Sequence, residues 1–474
     1  MTDHSRNGLE LRLLVAIVSY GEKNLSFLRR IIDNYRRVPM KVDIVVLSEA
    51  PKDLGPEIRV EVGLPTRNPW SLAFAHKRLF AENVDRYDLF AYSEDDMEVT
   101  AAHIEAFLRI TAYLQKDEIA GYLRYEVAEG KRFFPDAHGP FRWKPDSVRR
   151  RGEFTIAEHT NEHAAFYLLD RAQLQRAIDS GGFLREPYEE RYDMLCSAAT
   201  DPYTHCGFRK VICVSALTEF MIHHMSNRYA GKVGLAENRL MEQVQALIDI
   251  ENGTRPVSTL CNVESKLRRS VWSKNCYEES RKEILELVPH KDKRVLSIGC
   301  GWGDTEMALV KTGYSVTAVP LDSVIGTTLS RLGVEVILGT LSECLAELHG
   351  RKFDCVIITH LLHLFSAPEQ TVTSLTELVS KNGSILVASP NFHSLPVIIR
   401  RFLRMGDIRK LRCFKESGIT TCRPGSLRKH LARLGFHTMR VNWYDRTPEK
   451  LKWLKPPRRL ERFFTRNWAL LAQM

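Results

Sequence analysis

Hydrophobic positions along the chain fall into two series of short apolar runs, each separated from the next by amphipathic stretches. In the first series the runs are LLVAIVSY (13 to 20), VDIVVLSE (42 to 49) and YDLFAYSE (87 to 94), with amphipathic segments at 24 to 37 and 70 to 83. In the second they are RVLSIG (294 to 299), SVTAVP (315 to 320), FDCVIIT (353 to 359) and SILVAS (384 to 389). Near-continuous apolar runs in such alternation predict parallel strands covered on both faces by helices, hence an α/β chain of two doubly wound domains. Between the series, LAENRLMEQVQALIDIEN (235 to 252) predicts a closing helix and GTRPVSTLCNVES (253 to 265) a connector, which puts the boundary near residue 262. The expected domains are 10–252 and 280–474, with 253–279 as linker and lead-in helix.

Composition narrows the class. A chain of 474 residues is longer than one core usually serves, and at 44% hydrophobic and 27% charged it is not a disordered one. No run reaches the ~20 apolar residues of a membrane span, and charges stand close to the short apolar run at the start. A cytoplasmic protein without a signal peptide is expected. The 10 cysteines include no CxxC pair and no Cys/His cluster at zinc spacing, so they read as reduced, mostly buried thiols. A net charge of +10 favours an anionic partner: a nucleotide sugar, a phosphorylated lipid, an acidic glycan, a membrane surface or nucleic acid. Nucleic acid ranks last, because no recognition motif accompanies the charge. Basic residues thicken in RRFLRMGDIRKLRCFK (400 to 415) and KLKWLKPPRRLERFFTRNW (450 to 468), with aromatics between the charges. These stretches read either as a solvated face with snorkelling side chains or as a peripheral contact with an anionic membrane surface.

Candidate chemistry in the first series sits where its third run ends, at Ser93, followed by Glu94, Asp95, Asp96 and, after Met97, Glu98. Ligands of open parallel sheets gather at the carboxyl ends of strands. Adjacent carboxylates repel, and Mg²⁺ or Mn²⁺ is commonly held by one or two carboxylates plus substrate phosphates. The same acids also suit the cap of a helix starting near Ala101, with Thr100 as N-cap. After two strand and helix units, YDLFAYSEDD resembles the metal-binding signature of glycosyltransferases of the GT-A fold, with Glu94 in place of the more usual first Asp. The resemblance implies a nucleotide-sugar donor and a glycan or glycolipid acceptor. It places Glu94 and Asp96 on Mn or Mg at the donor diphosphate, with Asp95 alongside, and Ser19 and Tyr20 near the donor base. TRNPWSLAFAHKRLF resembles the helix that helps hold the nucleotide in such enzymes, which nominates Arg67 and Lys77. Glu162, Asp193 and Asp201 lie in polar, loop-like settings, and Asp193 is the candidate base for an acceptor hydroxyl. His223 and His224 stand where such enzymes often take a late His as a further metal ligand; on their own they read as ordinary surface or turn residues.

The second series opens with Gly299, Gly301 and Gly303, then Asp304 where the last glycine of a G-x-G-x-x-G dinucleotide fingerprint would fall, which weakens a hydride-transfer reading. Glycines there let a ligand approach the backbone at a helix N-terminus. VLSIGCGWG resembles motif I of class I S-adenosylmethionine-dependent methyltransferases. KFDCVIITHLLHLF (352 to 365), ELVSKNGSILVASPN (377 to 391) and RPGSLRKHLARLGFHTMRVNWYD (423 to 445) resemble their fourth strand, fifth strand and last helix with sixth strand. The resemblance implies S-adenosylmethionine on Gly299, Gly301 and Gly303. Two acids usual in that family are missing, with Ser297 ending the first strand and Pro320 the second. Asp322 is then the displaced candidate for the ribose diol, Glu343 the candidate near adenine, and His363, with His360 beside it, the candidate base. Together the two resemblances imply a bifunctional glycan-modifying enzyme that adds a sugar and methylates a hydroxyl. A methyltransferase with an N-terminal module that only binds glycan or nucleotide, and a non-enzymatic scaffold, are the alternatives.

Overall fold

The computed structural model of the protein describes residues 10–289, 293–403, 405–446 and 460–474, and within them every one of these apolar runs forms a strand. Much of the basic stretch 450 to 468 lies outside the described residues. The chain divides into two units, Met1–Asn252 and Gly253–Met474. Among the described residues no helix is long and apolar enough to cross a membrane.

In the first unit, Arg12–Ser19 is buried at all but its first position because it lies between two parallel neighbours, Lys41–Ser48 and Leu89–Glu94. Arg59–Val62 extends the sheet beyond Lys41–Ser48, and Phe166–Asp170 closes the other edge antiparallel to Leu89–Glu94. The helix Leu25–Arg36 buries Leu28, Ile31, Ile32 and Tyr35, an i, i+3, i+4, i+7 stripe that meets the core. Two further sheets of short strands, not anticipated from the sequence, complete the unit. One orders Glu118–Ala120, Arg209–Cys213, Phe154–Glu158 and Arg149–Arg151; the other orders Leu235–Ala236, Lys131–Phe134, Leu123–Ala128, Met221–His224 and Met97–Glu98.

The second unit is one seven-stranded sheet in the order Glu335–Val336, Ser315–Pro320, Arg294–Cys300, Phe353–Thr359, Val379–Pro390, Thr465–Gln473, Thr438–Arg446. The first five strands are parallel, and Thr465–Gln473 runs antiparallel to both of its neighbours. Alternate residues feed two separate cores: Leu296, Ile298, Val356 and Ile358 on one face, Val295, Cys355 and Ile357 on the other. Burial on both faces is why these strands read as unbroken apolar runs.

The segment 253–279, expected as a linker with a lead-in helix, is built into this unit. Leu260, Val263, Leu267 and Cys276 are buried in the core of one face, and Thr259 bridges to Asp322. Its helical content is the single 3-10 turn Arg268–Ser270, and the division of the chain falls after Asn252, ahead of residue 262. Scattered apolar residues among Pro, Ser and Thr hid the packing.

Candidate functional sites

In the first unit, Val18 stands opposite Glu94 in the parallel pair, which brings Ser19, Tyr20 and the acidic turn to one end of the sheet. The turn passes into Met97–Glu98, and the antiparallel pairing of Met97 with His224 and Glu98 with His223 delivers the late histidines to the acids. His224 Nε2 lies 3.0 Å from the Asp96 carboxylate, while its Nδ1 meets Glu126. Burial disfavours the imidazolium, but the bond and charge of Asp96 outweigh it and raise the His224 pKa; reciprocally the Asp96 carboxyl is held below its ordinary value. Glu94 behaves oppositely. Burial first, then the Asp96 charge, pushes its carboxyl up to about 8, so at neutral pH it keeps its proton. Asp95 is turned aside to accept from Asn24 Nδ2 at 2.7 Å and is bonded to Ser19.

These acids do not cap the helix Ala101–Thr111, whose Thr100 N–H donates to His103 Nδ1 at 3.0 Å. The expected Mn or Mg site is not preformed either. Asp96 is engaged with His224, and among the described residues no three His, Cys, Asp or Glu side chains are disposed to hold a metal ion. Asp193 is the N-cap of the helix Met194–Thr204, accepting from Cys196 N–H at 3.0 Å. Burial, then the Asp193 and Glu94 charges, raise the Cys196 thiol that lies in the field of both acids. Lys77 departs from its expected role at a donor nucleotide, being 2% exposed and ion-paired with the fully buried Asp201, which Tyr188 also bonds. Arg67 is exposed in the loop before the Asn68-capped turn Pro69–Phe74, outside any helix. Ser19 is buried and Tyr20 exposed. A cavity of about 530 Å³ opens beside the carboxyl ends of Lys41–Ser48 and Arg59–Val62, lined by Leu47, Gly63, Leu64, Phe74 and Arg185 among others.

In the second unit, the turn from Arg294–Cys300 into the helix Asp304–Lys311 is made by Gly299 at φ +70° and Gly303 at φ +102°, in the left-handed region that side chains resist. Gly301 serves a different purpose from the one its spacing implies. A Cβ there would stand 2.0 Å from the carbonyl oxygen of Cys276, and Trp302 N–H donates to that same oxygen at 3.1 Å. The room left by Gly301 is filled by the segment 274–278, not kept open for a ligand.

Under the loop, Ser297 Oγ donates to Glu306 Oε1 at 2.6 Å. Glu306 is buried, and burial raises its carboxyl against the opposing Ser297 bond. An acid absent from the strand thus returns from the first turn of the following helix. Lys274, fully buried, pairs with Glu278 and donates to the Thr359 carbonyl at 2.8 Å. Glu278 also lies 3.4 Å from His360 Nδ1, and His360 Nε2 is 2.9 Å from the Tyr444 hydroxyl. Although burial opposes it, Lys274 and His360 hold the Glu278 carboxyl down to about 2. Neither Glu306 nor Lys274 and Glu278 were singled out from the sequence, where the only available signals are an acid in a first helical turn and an i, i+4 pair of opposite charges.

Three expected residues are committed elsewhere. Asp322 Oδ1 accepts from Val324 and Ile325 N–H at 2.9 and 2.8 Å, so this buried carboxylate caps its own turn instead of facing a ribose. Glu343, exposed, completes a capping box with Thr340, whose N–H it accepts at 2.8 Å. His363 is fully buried with Nε2 2.7 Å from the Trp272 carbonyl, and burial pushes its pKa to about 3, so it is neutral and internal instead of poised as a base. The glycine turn and the carboxylates beneath it suit a cofactor carrying an ammonium group; an acid for the ribose is not among the residues expected to supply it.

Residues 272–464 match the family described as methyltransferase domain. A S-adenosylmethionine-dependent methyltransferase from Archaeoglobus fulgidus is similar over 38% of this chain and 86% of its own, at 19% identity and a TM-score of 0.31. One from Mesorhizobium loti covers 40% of this chain and 95% of its own, at 16% identity and a TM-score of 0.31. No curated protein matches the chain.

Proposed function

We propose that the protein, whose residues 272–464 match a methyltransferase domain, moves a methyl group from S-adenosylmethionine to a hydroxyl of a glycan or glycolipid, and that its first unit transfers a sugar to the same class of acceptor from a nucleotide-sugar donor. The observation behind the methyl-transfer half is the sheet itself: five parallel strands, a reversed strand between the fifth and the last, and a glycine turn leading from the third strand into a helix. Bound at that turn, S-adenosylmethionine supplies an electrophilic methyl group. The chain supplies the turn, the Glu306 and Glu278 carboxylates near it, and a lead-in segment packed against Gly301.

Support for the sugar-transfer half comes from the convergence of Glu94, Asp96, Asp193 and His224 at the carboxyl end of a mostly parallel sheet. To hold a divalent ion there beside donor phosphates, Glu94 would have to release its proton and Asp96 to part from His224. The pairing of Asp96 with His224 favours a second reading, in which the first unit binds a nucleotide or glycan without catalysing transfer. A cytoplasmic setting belongs to either reading.

Calorimetric titration of the full chain separates them. S-adenosylmethionine is expected to bind on its own, and nucleoside diphosphates are expected to bind more tightly with Mn²⁺ or Mg²⁺ present. Absence of S-adenosylmethionine binding overturns the first half; nucleotide binding that ignores the metal removes the sugar-transfer half and leaves the binding module.

A further inference from the structure

The helix Leu395–Phe402 buries none of its side chains. Val397 leans against the core of the second unit, but Leu395, Ile398, Ile399 and Phe402 are 40, 38, 46 and 85% exposed, and Leu403 and Met405 continue the patch at 57 and 54%. Positions 395, 398, 399 and 402 recur at i, i+3, i+4 and i+7, so they form one stripe. At 100° per residue Val397 points roughly opposite to it. A helix on a globular protein normally turns such a stripe inward; this one turns it out. Contiguous exposed apolar surface of this kind marks an interaction site.

Charge identifies the partner. From 395 to 415 the sequence holds seven lysines and arginines against a single acid, Asp407. Arg400, Arg401, Arg409, Lys410 and Arg412 are exposed, and Asp407 is already engaged by Lys410 at 3.1 Å and by the Arg268 N–H at 2.8 Å. An apolar stripe flanked by long basic side chains suits a surface that offers an apolar phase and a negative one side by side. Nucleic acid offers the charge without the apolar phase. Position adds to the argument: the helix begins just past the carboxyl end of Val379–Pro390, which shares its sheet end with the glycine turn through the parallel strand Phe353–Thr359.

We propose that Leu395–Phe402 lies in the interface of an anionic membrane, with Ile398, Ile399 and Phe402 among the acyl chains and Arg400 and Arg401 at the headgroups. The contact would present the glycine-turn end of the sheet to lipid-borne substrates; that last step rests on the methyl-transfer reading, whereas the binding itself does not. The test is co-sedimentation of the full chain with phosphatidylcholine vesicles with and without phosphatidylglycerol. Binding is expected only with phosphatidylglycerol and should weaken as salt rises. Arg400→Gln with Arg401→Gln should weaken it roughly 10- to 30-fold, and Ile399→Ser with Phe402→Ser should lose it, both with an unchanged unfolding midpoint because these side chains are exposed. No binding by the wild-type chain at low salt overturns the proposal, as does equal binding by the serine variant. A wild-type dimer that the serine variant converts to monomer in ultracentrifugation also overturns it, since the stripe then belongs to a second copy.

Discussion

Glu94 keeps its proton to about pH 8 in the folded chain, where the ordinary value is 4.5. Between those values the folded state binds a proton that the unfolded state has released, so this group makes stability fall as pH rises across the window. His224 adds a decline in the same direction: its raised pKa contributes stability that is fully present below 6.5 and lost as pH rises through the folded value. Replacing Glu94 by Gln removes the first contribution. Urea unfolding of Glu94→Gln at about pH 7.5 should show a gain of roughly 1 to 3 kcal/mol, with a shallower decline toward high pH. A variant no more stable than wild type at that pH contradicts the protonated state. The Lys77 and Asp201 pair makes a second residue-scale case, because both side chains are buried. Asp201→Ala strands an ammonium in the core and should cost roughly 3 to 5 kcal/mol, whereas Lys77→Met combined with Asp201→Leu should recover most of that loss. Equal loss in the double variant would show that packing at the site, and not charge, sets the cost.

At the scale of elements, the glycine turn is locked to the segment before it. A methyl group at position 301 would enter the space of the Cys276 carbonyl, a backbone atom that cannot rotate away. Gly301→Ala should therefore dislodge residues 274–278, which carry Lys274 and Glu278, and weaken S-adenosylmethionine binding while exposing that segment to protease. Intact affinity in calorimetry would separate the turn from the cofactor. The elements themselves were legible where both faces of a strand are buried, as at Leu296 and Val295, since such strands need no partner information to be seen. Met97–Glu98 was not, because two residues carry no periodicity and the strand exists only through its pairing with His223 and His224. The site divides the same way. Glu94, Asp96 and the glycines announce themselves at strand ends. Thr340-x-x-Glu343 carries the capping-box pattern in the sequence, so the structural role of Glu343 was readable there. The Ser297 bond to Glu306 and the burial of His363 under Trp272 are tertiary facts that no local pattern states.

At the scale of the whole molecule, each unit closes its own hydrophobic core: Leu13 to Met225 contribute to one, and the two faces of the seven-stranded sheet are filled by residues from Leu260 onward. Self-contained cores favour separate unfolding transitions. A ligand that binds one folded unit at about 100 times its Kd stabilises that unit by about 2.7 kcal/mol. For a unit of this size the gain corresponds to a rise in Tm of roughly 5 to 10 °C. Scanning calorimetry of the full chain should thus show S-adenosylmethionine raising one transition and leaving the other in place, and a nucleoside diphosphate with Mn²⁺ raising the other. The first unit holds Trp70 and the buried Trp143, and the second holds Trp272, Trp302 and the buried Trp468, so in a Trp70→Phe, Trp143→Phe variant tryptophan emission reports the second unit alone and assigns the transition that responds to S-adenosylmethionine. If one ligand moves both transitions together, the units are energetically coupled and the separate-site reading fails; if the S-adenosylmethionine shift falls on the transition without a tryptophan signal from the second unit, the cofactor assignment fails instead.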